Sequence, residues 1–146
     1  MRFETTSDKE LLQQADQLMY DVLWEPFGLP RDIRSKFKVE GQEKVIVALD
    51  EDKVVGAMVL IIQEAVAEIR HAAVYAKYQH SGLGRALFNH VLTLAMEYEV
   101  NKLEVYARNS AIDYWEKMGF SDISGWLDHD FFVNHGIRFK RMVRDA

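Results

Sequence analysis

At 146 residues, with 49% apolar and 12% aromatic side chains, the chain has the length and composition of a globular unit with one core, so one domain spanning 1–146 is expected. Eighteen basic against 23 acidic groups leave a formal charge of -5, which argues against a non-specific nucleic-acid binder, because phosphate contacts call for a basic excess. Cys is absent, so a disulfide scaffold and a thiol nucleophile are excluded; no apolar run approaches the ~18 residues of a membrane span; and Met1 to Asp8 lack a signal-peptide pattern, which makes the cytoplasm the expected location, with no membrane partner.

Arg2 to Thr5 reads as a short leading strand. Ser7 and Glu10 have capping-box spacing, and Leu11, Leu12, Ala15, Leu18, Met19 and Val22 then recur at helical spacing, which predicts a first helix from Asp8 to Trp24. Two prolines and a glycine between Glu25 and Pro30 end it, and Asp32 to Phe37 reads as a short second helix limited by Gly41. Lys44 to Asp50 and Val54 to Ile62 are strand-like and joined by a polar turn, so they should pair as an antiparallel hairpin. A third strand, Val66 to Val74, carries Glu68, Arg70 and His71, polar groups of the kind that line a cleft or face solvent from a half-exposed strand. Alternation places Glu68 and Arg70 on one face and His71 on the other, unless a bulge intervenes.

Gln79, His80, Ser81, Gly82, Leu83 and Gly84 then lead into an apolar-periodic helix, Leu83 to Tyr98. A strand, a glycine-containing loop and a helix N-terminus in succession suit a phosphate or diphosphate, because main-chain N–H groups point outward there and glycine admits close approach. A dinucleotide fingerprint would need a third glycine and a later acidic ribose contact, and a Walker A loop would need Gly-Lys-Ser/Thr where Arg85 follows Gly84. Lys102 to Ala107 reads as a strand, Ser110 to Met118 as a short helix stopped at Gly119, and Phe120 to Gly125 with Ile137 to Val143 as a closing pair of strands around a long excursion, Trp126 to Gly136. The order implies a mixed sheet with helices packed against it. His129 and His135 with Asp128 and Asp130 lack a firm ligand spacing, so no metal is expected.

Two segments together resemble the GNAT superfamily of acetyl-CoA-dependent N-acetyltransferases. Ala73-Val74 followed by Gln79 through Gly84 is similar to its acetyl-CoA segment, and Ala111 through Phe120 is similar to its Ala-x-x-Phe-Tyr-Glu-Lys-x-Gly-Phe segment. The resemblance implies an α+β fold with a splayed, mixed but mostly antiparallel sheet flanked by helices. It implies that the main chain of Ala73 and Val74 meets pantetheine, and that Gln79, His80, Ser81, Gly82, Leu83 and Gly84 hold the diphosphate. Arg85 or Lys77 would add charge, and Arg108 would contact cofactor or hold a buried carboxylate. In one histone-acetyltransferase branch a glutamate in Ala-Glu-Ile is the general base, and this chain reads Ala67-Glu68-Ile69. His71, with an ordinary pKa near neutrality, competes for that role.

Many family members place a tyrosine directly before the Glu-Lys of the last helix, where this chain has Trp115, preceded by Tyr114. Either Tyr114 acts as the acid, or Tyr106 does, or the thiolate leaves to solvent. Trp24, Phe27, Trp126, Phe131 and Phe132 belong to segments that would flank the acceptor. The implied activity is acetyl transfer from acetyl-CoA directly to a primary amine, carried by a small molecule or a protein; the alternative is a non-catalytic acyl-CoA-binding or regulatory domain of the same fold. The acidic balance would draw a cationic acceptor, although net charge does not locate charge. Self-association as a homodimer through the closing strands stays open.

Overall fold

In the computed structural model, which describes residues 1–146, seven strands form one sheet in the order β1-β2-β3-β4-β5-β7-β6. The elements are β1 (Arg2–Thr6), α1 (Lys9–Met19), α2 (Ile33–Lys36), β2 (Gln42–Asp50), β3 (Lys53–Gln63), β4 (Val66–Val74), α3 (Leu83–Glu97), β5 (Lys102–Arg108), α4 (Ile112–Lys117), β6 (Ser121–Leu127), α5 (Asp130–Val133) and β7 (Phe139–Asp145). All neighbouring pairs are antiparallel except β4 with β5. The expected mixed, mostly antiparallel sheet is therefore present, and no helix is long and apolar enough to cross a membrane.

Three local details differ from the sequence reading. The helix cap is Asp8, whose Oδ2 accepts the Leu11 N–H at 3.0 Å, and not Ser7; the carboxylate also complements the positive helix end. The first helix does reach Trp24, but its last five residues, Tyr20–Trp24, form a π turn. The excursion between the last two strands contains α5, a single turn capped by the His129 ring, too short to leave a periodic apolar signal.

Strand alternation divides the apolar residues between two layers. Ile46, Met58, Leu60, Ile69, Leu103 and Val105 face α3 and α4, whereas Val45, Val47, Val59 and Ile61 face α1 and the segment after it. On the α3 side Leu87, Phe88 and Val91 are fully covered, each such side chain contributing roughly 1.5–3 kcal/mol. Gly56 lets this helix approach the sheet: a Cβ there would lie 2.9 Å from Leu87 Cδ1. The two layers clamp β4 from both sides and leave one of its edges for the site.

Candidate functional site

β4 and β5 run side by side for only four residue pairs, from Val66 opposite Lys102 to Ile69 opposite Val105. Beyond them β4 continues along β3 to Val74, and β5 continues along β7 to Arg108, so the sheet splits. The cause lies in β4. His71 pairs with Val59 while Ile69 pairs with the next residue, Leu60, so Arg70 is an extra residue in the strand. A bulge of this kind bends its strand and increases its twist, and it occurs at the first position after the last β4–β5 pair. The split opens a cavity of about 740 Å³.

The bulge also resolves the question of faces. Glu68 stands opposite Ile61 and His71 opposite Val59, two residues of the same core layer, so Glu68 and His71 share the α1 face. Glu68, Arg70 and His71 all line the cavity. Farther along, the Tyr75 N–H bonds Val55 O at 3.1 Å, and the ladder's alternation then turns the main chain of Ala73 toward β3 and that of Ala72 and Val74 toward the opening. Of the two residues expected to offer main-chain contacts, Val74 faces the split and Ala73 does not. Gln79 Nε2 donates to Val74 O at 2.9 Å, which joins this free edge to the loop that follows.

In that loop the N–H groups of residues 80–85 have no main-chain acceptor, and the first bond of the helix runs from Ala86 N–H to Gly82 O at 3.0 Å. Gly82 has a φ of +87°, the left-handed region that disfavours a side chain, and no atom lies within 4 Å of where its Cβ would be. Gly84 is needed for a different reason than backbone freedom: a Cβ there would lie 3.1 Å from the Tyr114 ring. The Ser81 hydroxyl donates to Tyr78 O, and Leu83 is buried beneath the loop. The side chains of His80, Ser81 and Gln79 are exposed and that of Arg85 is exposed on the first turn of α3, so the loop presents chiefly main chain. Such an array of donors at the end of a 15-residue helix fits a diphosphate.

Charged groups on the α1 face are mostly paired. Glu68 Oε2 accepts from Arg70 Nη1 at 2.9 Å, and Arg70 Nη2 donates to Phe37 O at 2.5 Å, leaving Glu68 Oε1 without a protein partner. Glu104, opposite Glu68 on β5, is held by Arg141 at 2.7 Å, and Asp128 is held by Arg138 at 2.7 Å. His71 packs edge-on against Trp24 at 5.4 Å, and burial, reinforced by Arg70, Arg34 and Arg108, lowers its pKa to about 3. The imidazole is thus neutral and a poor proton acceptor near neutrality, contrary to its ordinary value. Arg108 lies on this face too, across the sheet from α3: Nη1 donates to Leu23 O at 2.6 Å and the guanidinium stacks on Phe27 at 5.3 Å.

Tyr114 and Trp115 divide their positions. The Tyr114 hydroxyl donates to Gly84 O at 2.8 Å, and burial pushes its pKa up to about 12. Trp115 is buried against Phe88 and Phe120 and also lines the cavity, while Tyr106 lines it from β5 and is partly exposed. The aromatic wall is completed by Trp24, Phe27, Phe37, Phe132 and Phe139. Trp126 and Phe131, expected beside them, lie outside the lining: Trp126 stacks under Arg138 and Lys140, and Phe131 packs on Phe37 and Phe132. Phe37 and Phe139 were not singled out from sequence. Nothing local marks them, since each ends or starts an element far from the motifs. His135 Nδ1 lies 2.8 Å from Phe27 O, and His129 accepts from Phe131 N–H, so each ring already serves the local fold.

Comparison with known proteins gives a consistent picture. A family described as acetyltransferase (GNAT) domain matches residues 9–146. Among solved structures, Tetrahymena GCN5 superposes with a TM-score of 0.79 at 22% identity, covering 99% of this chain and 96% of that one. An aminoglycoside 6'-N-acetyltransferase complexed with coenzyme A gives 0.79 at 14% identity, with 99% and 97% covered. The ribosomal-protein-S18-alanine N-acetyltransferase from Escherichia coli gives 0.77 at 17% identity, with 99% and 92% covered. No curated protein matches the sequence.

Proposed function

This chain belongs to the GNAT acetyltransferase family, and on that premise we propose that it transfers an acetyl group from acetyl-CoA directly to a primary amine. The observation that carries the reading is the split between β4 and β5, which puts a free strand edge and a half-buried carboxylate in one opening that reaches Gln79, where the main-chain anion loop begins. The loop's N–H groups from His80 to Arg85 would hold the diphosphate, and the open main chain of Ala72 and Val74 would hold pantetheine. Bound there, acetyl-CoA supplies the activated acyl group as a thioester.

The protein's own work is then proton handling and orientation. An ammonium group must lose its proton before it can attack a carbonyl carbon, and Glu68, which lines the cavity and has Oε1 without a protein partner, would accept it directly or through one water. A main-chain N–H of the free β4 edge is suited to the developing oxyanion. No residue need become acylated, which agrees with the lack of Cys. Tyr114 keeps its proton across the working pH range but would have to leave Gly84 O to deliver it to a thiolate.

Titration calorimetry with coenzyme A, followed by detection of free thiol over a panel of primary amines, tests the reading. Uptake of coenzyme A and amine-dependent thiol release are expected; no uptake would overturn the cofactor site and the activity with it. The engaged hydroxyl of Tyr114, with Trp115 beside it, favours one second reading, a binding domain without turnover. Tight uptake with no thiol release for any amine would select that reading.

A further inference from the structure

The cavity's charges do not follow the chain's net charge. Four ionised side chains line it: Glu68, Arg70, Arg108 and Asp128. Glu68 and Arg70 neutralise one another, and Asp128 is neutralised by Arg138. Arg108 alone forms no ion pair. One of its nitrogens, Nη1, caps Leu23 O; Nε and Nη2 have no protein acceptor, and unlike the sealed nitrogens of Arg34 and Arg141 they are not closed off. A guanidinium kept in an apolar wall without a counter-ion incurs a desolvation cost, seen in the lowering of its pKa to about 10 by burial. An anion that meets its free edge in the bound state would offset that cost, and the planar fork matches a carboxylate.

Phe27 lies under the Arg108 guanidinium, and Trp24, Phe37 and Phe132 line the same, mostly apolar cavity. Glu68, on β4, lines the same cavity. The cavity thus offers a cation, an apolar surface and a carboxylate to one small molecule.

We propose that the acceptor is a carboxylate-bearing amine of the α-amino acid type with an apolar or aromatic side chain, its carboxylate on Arg108, its side chain on the aromatic wall and its amine toward Glu68. This assignment rests on the acetyl-transfer reading above and narrows its acceptor. It runs against the cationic acceptor that the net charge suggests, because the carboxylates of this cavity are already neutralised and its one unmatched charge is positive.

The test compares matched acceptors, phenylalanine and leucine against their carboxamides, with acetyl-CoA and thiol detection. The carboxamide's amine is the less basic of each pair, so proton loss alone would favour it. The wild-type protein should nevertheless prefer the acid by roughly tenfold or more in kcat/KM, chiefly through KM. R108Q should lower kcat/KM for the acid far more than for the carboxamide, so that the acid-to-amide ratio collapses whatever happens to the overall rate, and R108K should restore part of the ratio. A purely structural Arg108, acting only as the cap on Leu23, would lower Tm in both variants without changing the acid-to-amide ratio. That result would overturn the assignment, and an absent preference in the wild type would do so without any variant. A preference for succinyl-CoA over acetyl-CoA that R108Q removes, with no acid preference in the acceptor, would move the carboxylate to the acyl group and also overturn it. Coenzyme A uptake with turnover only of amines lacking a carboxylate would sink this proposal and leave the acetyl-transfer reading intact; no coenzyme A uptake would sink both.

Discussion

On the α3 side of the cleft the groups proposed to bind are main-chain N–H groups of one continuous loop, whereas on the α1 side the cavity is lined by side chains from β4, β5, the π turn, the segment around α2 and the stretch around α5. The first arrangement depends on backbone shape, and substitutions of its exposed side chains leave it in place. The second changes with every residue that lines it. One fold can therefore keep a common donor and vary its acceptor, because the two requirements are met by different kinds of atom on opposite faces of the sheet.

Substitutions can break this division, and the largest effect is expected at Glu68. E68Q should lower kcat by roughly 10²–10⁴-fold, the usual contribution of a positioned base, with coenzyme A affinity nearly unchanged. Thiol-release kinetics beside calorimetry would check this, and an unaltered rate and pH profile would remove Glu68 from the role. G82V attacks the other side. A β-branched residue at φ +87° strains the turn by about 1–3 kcal/mol, so the loop should lose its shape and the coenzyme A Kd should rise roughly tenfold or more. The acid-to-amide ratio of the acceptors should not move. A change in that ratio would show that the two sides are coupled.

The buried His71 sharpens the comparison through pH. From about pH 6.5 down to about 3 the unfolded chain takes up a proton that the native imidazole refuses, so the native state loses stability as pH falls through this window and keeps it above. The slope from this group reaches at most about 1.4 kcal/mol per pH unit. Urea unfolding at several pH values should show H71Q with a shallower slope, by up to one proton. The smallest effect is expected from Y114F, which removes the bond to Gly84 O and should cost about 1 kcal/mol of stability and a few-fold in coenzyme A affinity. A fall in kcat of tenfold or more would instead make the hydroxyl the acid.

Legibility in the sequence followed the same division. The strand boundaries of β4, the loop from Gln79 to Gly84 and the start of α3 at Leu83 were readable because each is set by neighbours in the chain. The acceptor wall is legible only in part: Trp24, Phe27 and Phe132 lie in segments expected to flank the acceptor and do line the cavity, whereas Phe37 and Phe139, far apart in sequence, join them only through the tertiary fold. The faces of Glu68 and His71 are legible only as a conditional: strict alternation separates them and a bulge reunites them. No local residue announces the bulge, since Arg70 fits a regular strand equally well. The depressed pKa of His71 is equally hidden, depending first on its burial beside Trp24 and then on Arg34 and Arg108 from distant segments as well as the neighbouring Arg70.

His71 and Trp24 deserve to be viewed as a matched pair of phase shifts. Trp24 closes a turn wound one residue looser than its helix, and His71 follows a strand position one residue longer than its partner. Deleting a single residue from either element would rotate one ring away by about a hundred degrees or flip the other through the sheet. The contact across the cleft floor thus works as a registration mark between helix and strand. Shortening one partner alone should cost the fit of both.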